Sequence, residues 1–206
     1  MNDLLHDITE YLLFLKTQLR LEIAICDVNR TLLPAILQIQ PFWGHNLSYC
    51  ILLKKNPDIY ARCKLAQKYV KEKLRTNGSF CGTCFAGMGE YVFRIAHNDV
   101  YLGFISVSGV CFRPSLAKEK LLRLCRRYGL NEADLQKGFA ASVTPVAHTG
   151  ATPPQEITVY VTPLLRMLEL LYLEQELHPD NRAISPERQV FLSAKSYIND
   201  NFTNDI

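Results

Sequence analysis

Two alternating segments joined by a short polar turn constrain the fold of this chain more than any other feature. Glu90–Ala96 and Val100–Val107 alternate as half-buried strands do, and Asn98-Asp99 between them suits a hairpin turn. The apolar face of each segment is formed by Tyr91, Phe93 and Ile95 in the first and by Tyr101, Ile105 and Val107 in the second. We therefore expect an antiparallel hairpin within a sheet and not an all-helical fold.

Helical periodicity surrounds this hairpin. Apolar residues recur every three or four positions over Asp3–Leu19. A second helix should run from Asn56-Pro57 to about Thr76, because Asn56 can cap it and Pro57 suits its first position. Further helix starts are expected at Ser115, Asn131, Thr152 and Ser185. The fold class is therefore α+β: an antiparallel sheet that includes Leu21–Val28 and the hairpin, with helices packed over it and a helical C-terminal extension.

The composition is that of an ordinary globular domain, with 48% hydrophobic and 21% charged residues. The net charge of +3 is too small to imply nucleic-acid binding by the chain as a whole. Asp3, Asp7 and Glu10 interrupt the N-terminal apolar stretch, which excludes a secretory signal there. No apolar run approaches the roughly 20 residues of a membrane span. We therefore expect a cytoplasmic protein with no membrane partner.

Four of the seven cysteines raise the possibility of metal or redox chemistry. Cys81 and Cys84 form a CxxC, and Cys50 and Cys63 precede it. Four thiolates can hold zinc or iron, whereas free cysteines are commonly small buried hydrophobes. The thioredoxin pattern has a strand before the CxxC and a long helix after it, and this chain has a helix before and a strand after. A metal or redox sensor, or a thiol-disulfide enzyme using Cys81 and Cys84, is the alternative function.

A small-molecule site is the main functional prediction. No Ser-His-Asp, HExxH, P-loop or dinucleotide pattern occurs, so we expect binding without turnover and no enzyme. The site is expected between one sheet face and the segments 43–50 and 80–88, with ordinary core packing as the alternative role of each residue. The predicted ligand-binding residues are Trp43, Tyr49, Cys50, Cys63, Phe80, Cys84, Tyr91, Phe93 and Phe104.

The order of several residues resembles the PocR-type sensory domain. The matching features are Cys50, Cys63, Cys84-Phe-Ala-Gly87, Gly103 and Gly109-Val110. The chain differs from the family pattern at Arg94, where a proline is usual, after Cys63, where no acidic residue follows closely, and in the adjacency of Gly109 and Val110. The resemblance covers roughly residues 5–175. It implies a PAS-like fold that binds a small, simple organic metabolite.

The C-terminal segment resembles the start of a DNA-binding domain. Val190–Ile206 is similar to the first helix of an AraC-type domain, which contains two helix-turn-helix units. The resemblance divides the chain into a sensory domain, residues 1–177, and a linker with the first helix of a truncated domain, residues 178–206. It implies a transcription regulator that contacts DNA through the missing domain and not through this fragment.

A heptad-like seam lies between these two parts. Its members are Ile157, Val161, Leu164, Leu168 and Leu171. The helix that carries this seam can pack on its own domain or pair with a second copy. We predict a homodimer through this helix, which would couple ligand binding to paired DNA half-sites.

Overall fold

The computed structural model describes residues 2–26, 42, 44–146 and 150–177. In chain order its elements are α1 (Asn2–Leu19), β1 (Glu22–Cys26), α2 (Ser48–Lys54), α3 (Pro57–Thr76), β2 (Ser79–Thr83), β3 (Gly89–His97), β4 (Val100–Cys111), α4 (Pro114–Tyr128), α5 (Glu132–Ser142), β5 (Thr144–Pro145) and α6 (Gln155–Leu177). The predicted α+β class is confirmed. Trp43, the linker and the AraC-like helix within 178–206 lie outside the described residues.

The sheet has the order β1-β4-β3-β2, and each of these neighbouring pairs is antiparallel. The short β5 extends it by pairing in parallel with the end of β4. The predicted hairpin is present, because β3 and β4 pair directly and Asn98 and Asp99 turn the chain with φ of 43° and 66°. An antiparallel sheet with packed helices is consistent with the PAS-like fold expected from the resemblance.

One face of the sheet packs against α1 and α6. Ile23, Ile105 and Phe93 contribute to this core from three neighbouring strands. Leu164 and Leu168 of α6 are fully buried in the same core. The predicted dimer seam is therefore buried within one chain, which is the other role that the sequence allows for this helix.

The other face of the sheet lies beneath α2 and α3. Leu74 of α3 packs with Phe80, Val92 and Phe104, which belong to three different strands. A separate cluster around Tyr49 joins α2 to α4, α5 and the loop after β2. The two faces therefore have different covers, and residues that alternate along one strand enter different environments.

Helix starts follow local chemistry with some changes from the sequence prediction. The Asn56 side chain accepts hydrogen bonds from the Asp58 and Ile59 amides, and α3 ends at Thr76 as predicted. Ser115 does not cap α4; the helix begins at Pro114, because a proline favours the first helical position. The helix expected after Thr152 begins at Gln155 and includes Pro163 in its interior. Within the described part of the chain, no helix combines the length and apolar character needed to cross a membrane.

Candidate functional site

A row of polar residues crosses the sheet face beneath α2 and α3. Glu22 of β1 lies opposite Ser108 of β4, and Ser108 lies opposite Glu90 of β3. We call Glu22, Ser108 and Glu90 the polar row. Gly82 of β2 lies opposite Glu90, so the row ends at a residue without a side chain. Polar groups on a covered sheet face need hydrogen-bond partners, which makes this row the first candidate for a binding site.

A chain of side-chain hydrogen bonds extends from Glu90. Ser106 Oγ donates to Glu90 Oε2 over 2.8 Å and lies 3.0 Å from His45 Nε2. Because the Ser106 proton goes to Glu90, the imidazole is the donor to Ser106 and carries its proton on Nε2. Burial and the nearby Lys54 lower the pKa of His45 to about 4, so this histidine is neutral at neutral pH.

Lys54 supplies positive charge at the edge of the site. Its Nζ donates to the His45 carbonyl over 2.8 Å, and its charge acts on Cys50 and Cys63 as well as on His45. Burial raises the pKa of Glu90, with the Ser106 hydrogen bond opposing that change. The site therefore combines a lysine at its edge with carboxyl groups, a neutral imidazole and hydroxyl groups.

Two polar atoms of the row have no hydrogen-bond partner among the described residues. They are Glu22 Oε1 and Ser108 Oγ. Glu22 is 5% exposed and Ser108 is 0% exposed. The second oxygen of Glu22 is paired with Lys16 Nζ at 3.1 Å. A buried polar atom without a partner costs about 1–3 kcal/mol, so each of these atoms calls for a hydrogen-bonding group between the sheet and its helical cover.

Three of the four predicted cysteines lie close enough to Glu90 to interact with it electrostatically. The Cys50 thiol interacts electrostatically with Cys63, Glu90 and Glu22, and the Cys84 thiol interacts with Glu90 and Cys50. Burial raises the pKa of Cys50 to about 12 and also raises the pKa of Cys63 and Cys84. These groups are thiols at neutral pH, and a thiol is a poor nucleophile and a poor metal ligand compared with a thiolate.

Cys81 lies on the other side of the sheet. It is opposite Tyr91 in the β2–β3 register and packs against the core formed with α1 and α6. The four cysteines therefore do not form one cluster. Across residues 2–26, 42, 44–146 and 150–177, no group of three or more His, Cys, Asp or Glu side chains is arranged to hold a metal ion. The described residues thus do not fit the zinc or iron site considered from the sequence.

The aromatic residues predicted for the site are divided between the two faces. Phe80 and Phe104 share the face of the polar row, and Tyr49 anchors α2 by donating from its hydroxyl to the Ala86 carbonyl over 2.8 Å. Tyr91 and Phe93 lie in the core with α1 and α6, since they alternate with Glu90 and Val92 along β3. We therefore leave Tyr91 and Phe93 out of the site.

A tight turn brings the segment of Cys84 against α4. The Gly87 amide donates to the Cys84 carbonyl over 3.0 Å, and Lys120 Nζ of α4 donates to the same carbonyl over 2.8 Å. Gly87 has a φ of +93°, and a Cβ there would meet the Ala117 backbone at 3.0 Å. Glycine is required at this position both for its backbone conformation and for the approach of α4.

Sequence reasoning missed the polar residues of the site because it searched for aromatic and sulfur groups. The available signal was the alternation of Ser106 and Ser108 with Ile105 and Val107 in a strand that is otherwise apolar. Glu22 and Glu90 are polar positions at the starts of their strands, where exposure is the usual expectation. Only the register shows that these four side chains share one covered face.

An antiparallel sheet with helices over both faces and buried polar groups beneath one cover defines a domain suited to hold a small molecule. The chain belongs to the PocR family, described as the sensory domain found in PocR, whose family profile matches residues 6–147. The chain is thus a sensory domain over most of its length. No curated protein and no solved structure matches it significantly.

Proposed function

We propose that this chain binds a small organic metabolite at the polar row and passes the binding signal to a DNA-binding domain of a transcription regulator. The observation that carries the proposal is the pair of buried atoms, Glu22 Oε1 and Ser108 Oγ, that have no partner among the described residues. A ligand with hydroxyl, amine or similar groups would satisfy both atoms. Membership of a sensory-domain family supports binding as opposed to turnover.

The residues proposed to contact the ligand come from the sheet and from its cover. Glu22, Glu90, Ser106 and Ser108 would supply hydrogen bonds from the sheet. Cys50, Cys63 and Cys84, as neutral thiols, would supply soft, weakly polar surface from above. Phe80 and Phe104 on the same face would bound the apolar side, and Trp43 stays a prediction from the sequence. A few placed polar groups in apolar surroundings are typical of small-molecule sites.

The proposed output passes through α6. His97 Nδ1 at the end of β3 lies 2.9 Å from Glu169 Oε1 of α6, and Glu169 also pairs with Arg166. A ligand that shifts β3 through Glu90 would therefore act on α6 through this contact as well as through the shared core. The AraC-like segment after residue 177 would receive the change.

The homodimer remains part of the proposal, on a different helix face. Leu164 and Leu168 are buried, but Val159 and Leu170 on the outer side of α6 are 56% and 52% exposed. We propose that this outer side meets a second copy. Sedimentation of Leu170→Glu and of wild type at matched high concentration tests this: the variant should be monomeric and the wild type dimeric. A monomeric wild type would contradict it.

The ligand hypothesis is tested by thermal unfolding in the presence of small alcohols, diols, amines and carboxylic acids. A ligand at about 100 times its Kd adds about 2.7 kcal/mol to the free energy of unfolding, which raises Tm by several degrees. A compound that raises the Tm of the wild type should no longer raise Tm when Glu90 and Ser108 are both replaced. Reversible thiol-disulfide turnover by Cys81 and Cys84, with no ligand response, would favour the alternative function.

A further inference from the structure

The positive charge of the chain is concentrated on two helices. Of 23 Lys and Arg and 20 Asp and Glu in the chain, α3 and α4 together hold eleven cations and three acids. The remaining residues hold twelve cations and seventeen acids, so they are acidic overall. Nine of the eleven cations are exposed, whereas Lys71 and Lys120 are partly buried. The net charge of +3 is therefore the sum of a strongly positive region and a negative one.

The two helices border a common open cleft of about 490 Å³. Its lining residues are Asp58, Ala61, Arg62 and Leu65 of α3 and Arg127 and Tyr128 of α4, so it holds two arginines and one acid. The cleft therefore brings one exposed arginine of each helix, Arg62 and Arg127, to the same side of the molecule. We call the nine exposed Lys and Arg side chains of α3 and α4 the basic surface.

The arginines of the cleft are held by aromatic rings and not by acids. The Arg62 guanidinium lies 4.7 Å from the Phe85 ring centroid, and the Arg127 guanidinium lies 5.5 Å from that of Tyr128. Within the described part of the chain, neither arginine forms an ion pair. Stacking restricts the planar group, and both arginines are exposed. The N–H donors of an exposed guanidinium form a fork that matches the oxygens of a phosphate.

We propose that the basic surface binds the phosphate backbone of double-stranded DNA without reading its sequence. A duplex offers a dense, regular array of negative charge, which suits cations spread over two helices more than one small anion does. The proposal goes beyond the proposed function, in which DNA contacts belong to the domain after residue 177. It also does not depend on the ligand site, which lies beneath α3.

A membrane surface fits these observations less well. A helix that lies in a membrane interface inserts an apolar face, but the apolar residues Ile59 and Leu74 of α3 are buried inside the domain. The large hydrophobic side chains exposed on α3 are Leu65 and Tyr69, and α4 exposes none. The basic surface therefore offers charge with little apolar area, which favours a polyanion in water.

The test measures binding of the full chain to a short fluorescent duplex of mixed sequence by anisotropy over a series of salt concentrations. Wild type should bind in a salt-dependent way. Arg62→Glu/Arg127→Glu should weaken binding at low salt by about tenfold or more and reduce the slope of log Kd against log salt by about two. Lys137→Glu on α5, which changes the charge as much as Arg127→Glu alone, should change Kd by less than about twofold, and circular dichroism melting should show that all variants are folded.

Any of the following results would overturn the proposal. Absence of duplex binding by folded wild type at low salt would do so directly. An equal loss in Lys137→Glu and in Arg127→Glu, measured as a single variant, would show that binding depends only on net charge. Tighter binding to vesicles rich in anionic lipid, or to polyglutamate at equal charge concentration, than to the duplex would assign the surface to a membrane or to an acidic protein. A failed ligand screen would leave this test unaffected.

Discussion

Ser106 donates its hydroxyl hydrogen to Glu90 Oε2 over 2.8 Å and thereby links β4 to β3 on the sheet face beneath α2 and α3. This hydrogen bond favours the ionised carboxylate and lowers the pKa of Glu90, whereas burial favours the neutral acid and raises that pKa more. The carboxyl group is therefore held in a place where ionisation opposes folding. A ligand that donates a hydrogen bond to Glu90 would therefore favour the ionised carboxylate.

Replacement of Glu90 by glutamine should remove a pH-dependent destabilisation. A carboxyl whose pKa rises on folding contributes stability below its unfolded pKa, near 4.5, and that contribution is lost as pH rises through the folded pKa. The Tm of Glu90→Gln should therefore rise relative to wild type as the pH increases above about 5. His45 titrates in the opposite direction but is present in both proteins. A constant Tm difference over this range would refute the assignment.

Leu168 and Leu170 lie on the same helix, α6, but Leu168 is buried and Leu170 is exposed. The same substitution can therefore be compared at both positions. Leu168→Ala should lower the free energy of unfolding by about 2–5 kcal/mol, because a cavity opens in the core with α1. Leu170→Ala should change it by no more than about 0.5 kcal/mol. Urea unfolding of both variants gives the two values. Similar values would show that the seam of α6 is not buried within one chain.

The fold was more accessible to sequence reasoning than the site. The hairpin and α3 follow from local rules, since Asn98-Asp99 and Asn56-Pro57 determine a turn and a helix start without reference to distant residues. The face of the sheet that Glu22 and Ser108 share depends on the register of two strands that are far apart in sequence. Alternation alone does not indicate which face of the sheet is polar, so the sequence predicts one site for Phe93 and Phe104, which lie on opposite faces.

Gly87 should be intolerant of a side chain. Alanine there would need a φ near +93° and would place Cβ at 3.0 Å from the Ala117 backbone, so we expect Gly87→Ala to cost more than about 2 kcal/mol. Gly78 has no atom within 4 Å of its ideal Cβ position and is the control. Thermal unfolding of Gly87→Ala and Gly78→Ala compares the two positions. Equal stability would argue against close packing of α4 on the Cys84 turn.

The division of the CxxC between two environments predicts a difference in ligand response. Cys84 interacts with Glu90, whereas Cys81 packs on the opposite face of the sheet. Cys81→Ser should therefore leave the affinity for a ligand within about twofold of wild type, whereas a bulky replacement, Cys84→Leu, should abolish binding. Isothermal titration on folded variants measures both. Loss of affinity in Cys81→Ser, with affinity retained in Cys84→Leu, would contradict this division and indicate that Cys81 takes part in the function.

Ser108→Ala tests the central claim most directly, because the Ser108 hydroxyl is fully buried and has no partner among the described residues. Its removal breaks no hydrogen bond of the ligand-free protein, so the free energy of unfolding without ligand should stay equal or rise. Affinity for a ligand found by the thermal screen should fall by about 0.5–1.5 kcal/mol, which is about 2- to 13-fold. Titration calorimetry and unfolding of the same samples give both quantities. Unchanged affinity with unchanged stability would contradict a ligand site at the polar row.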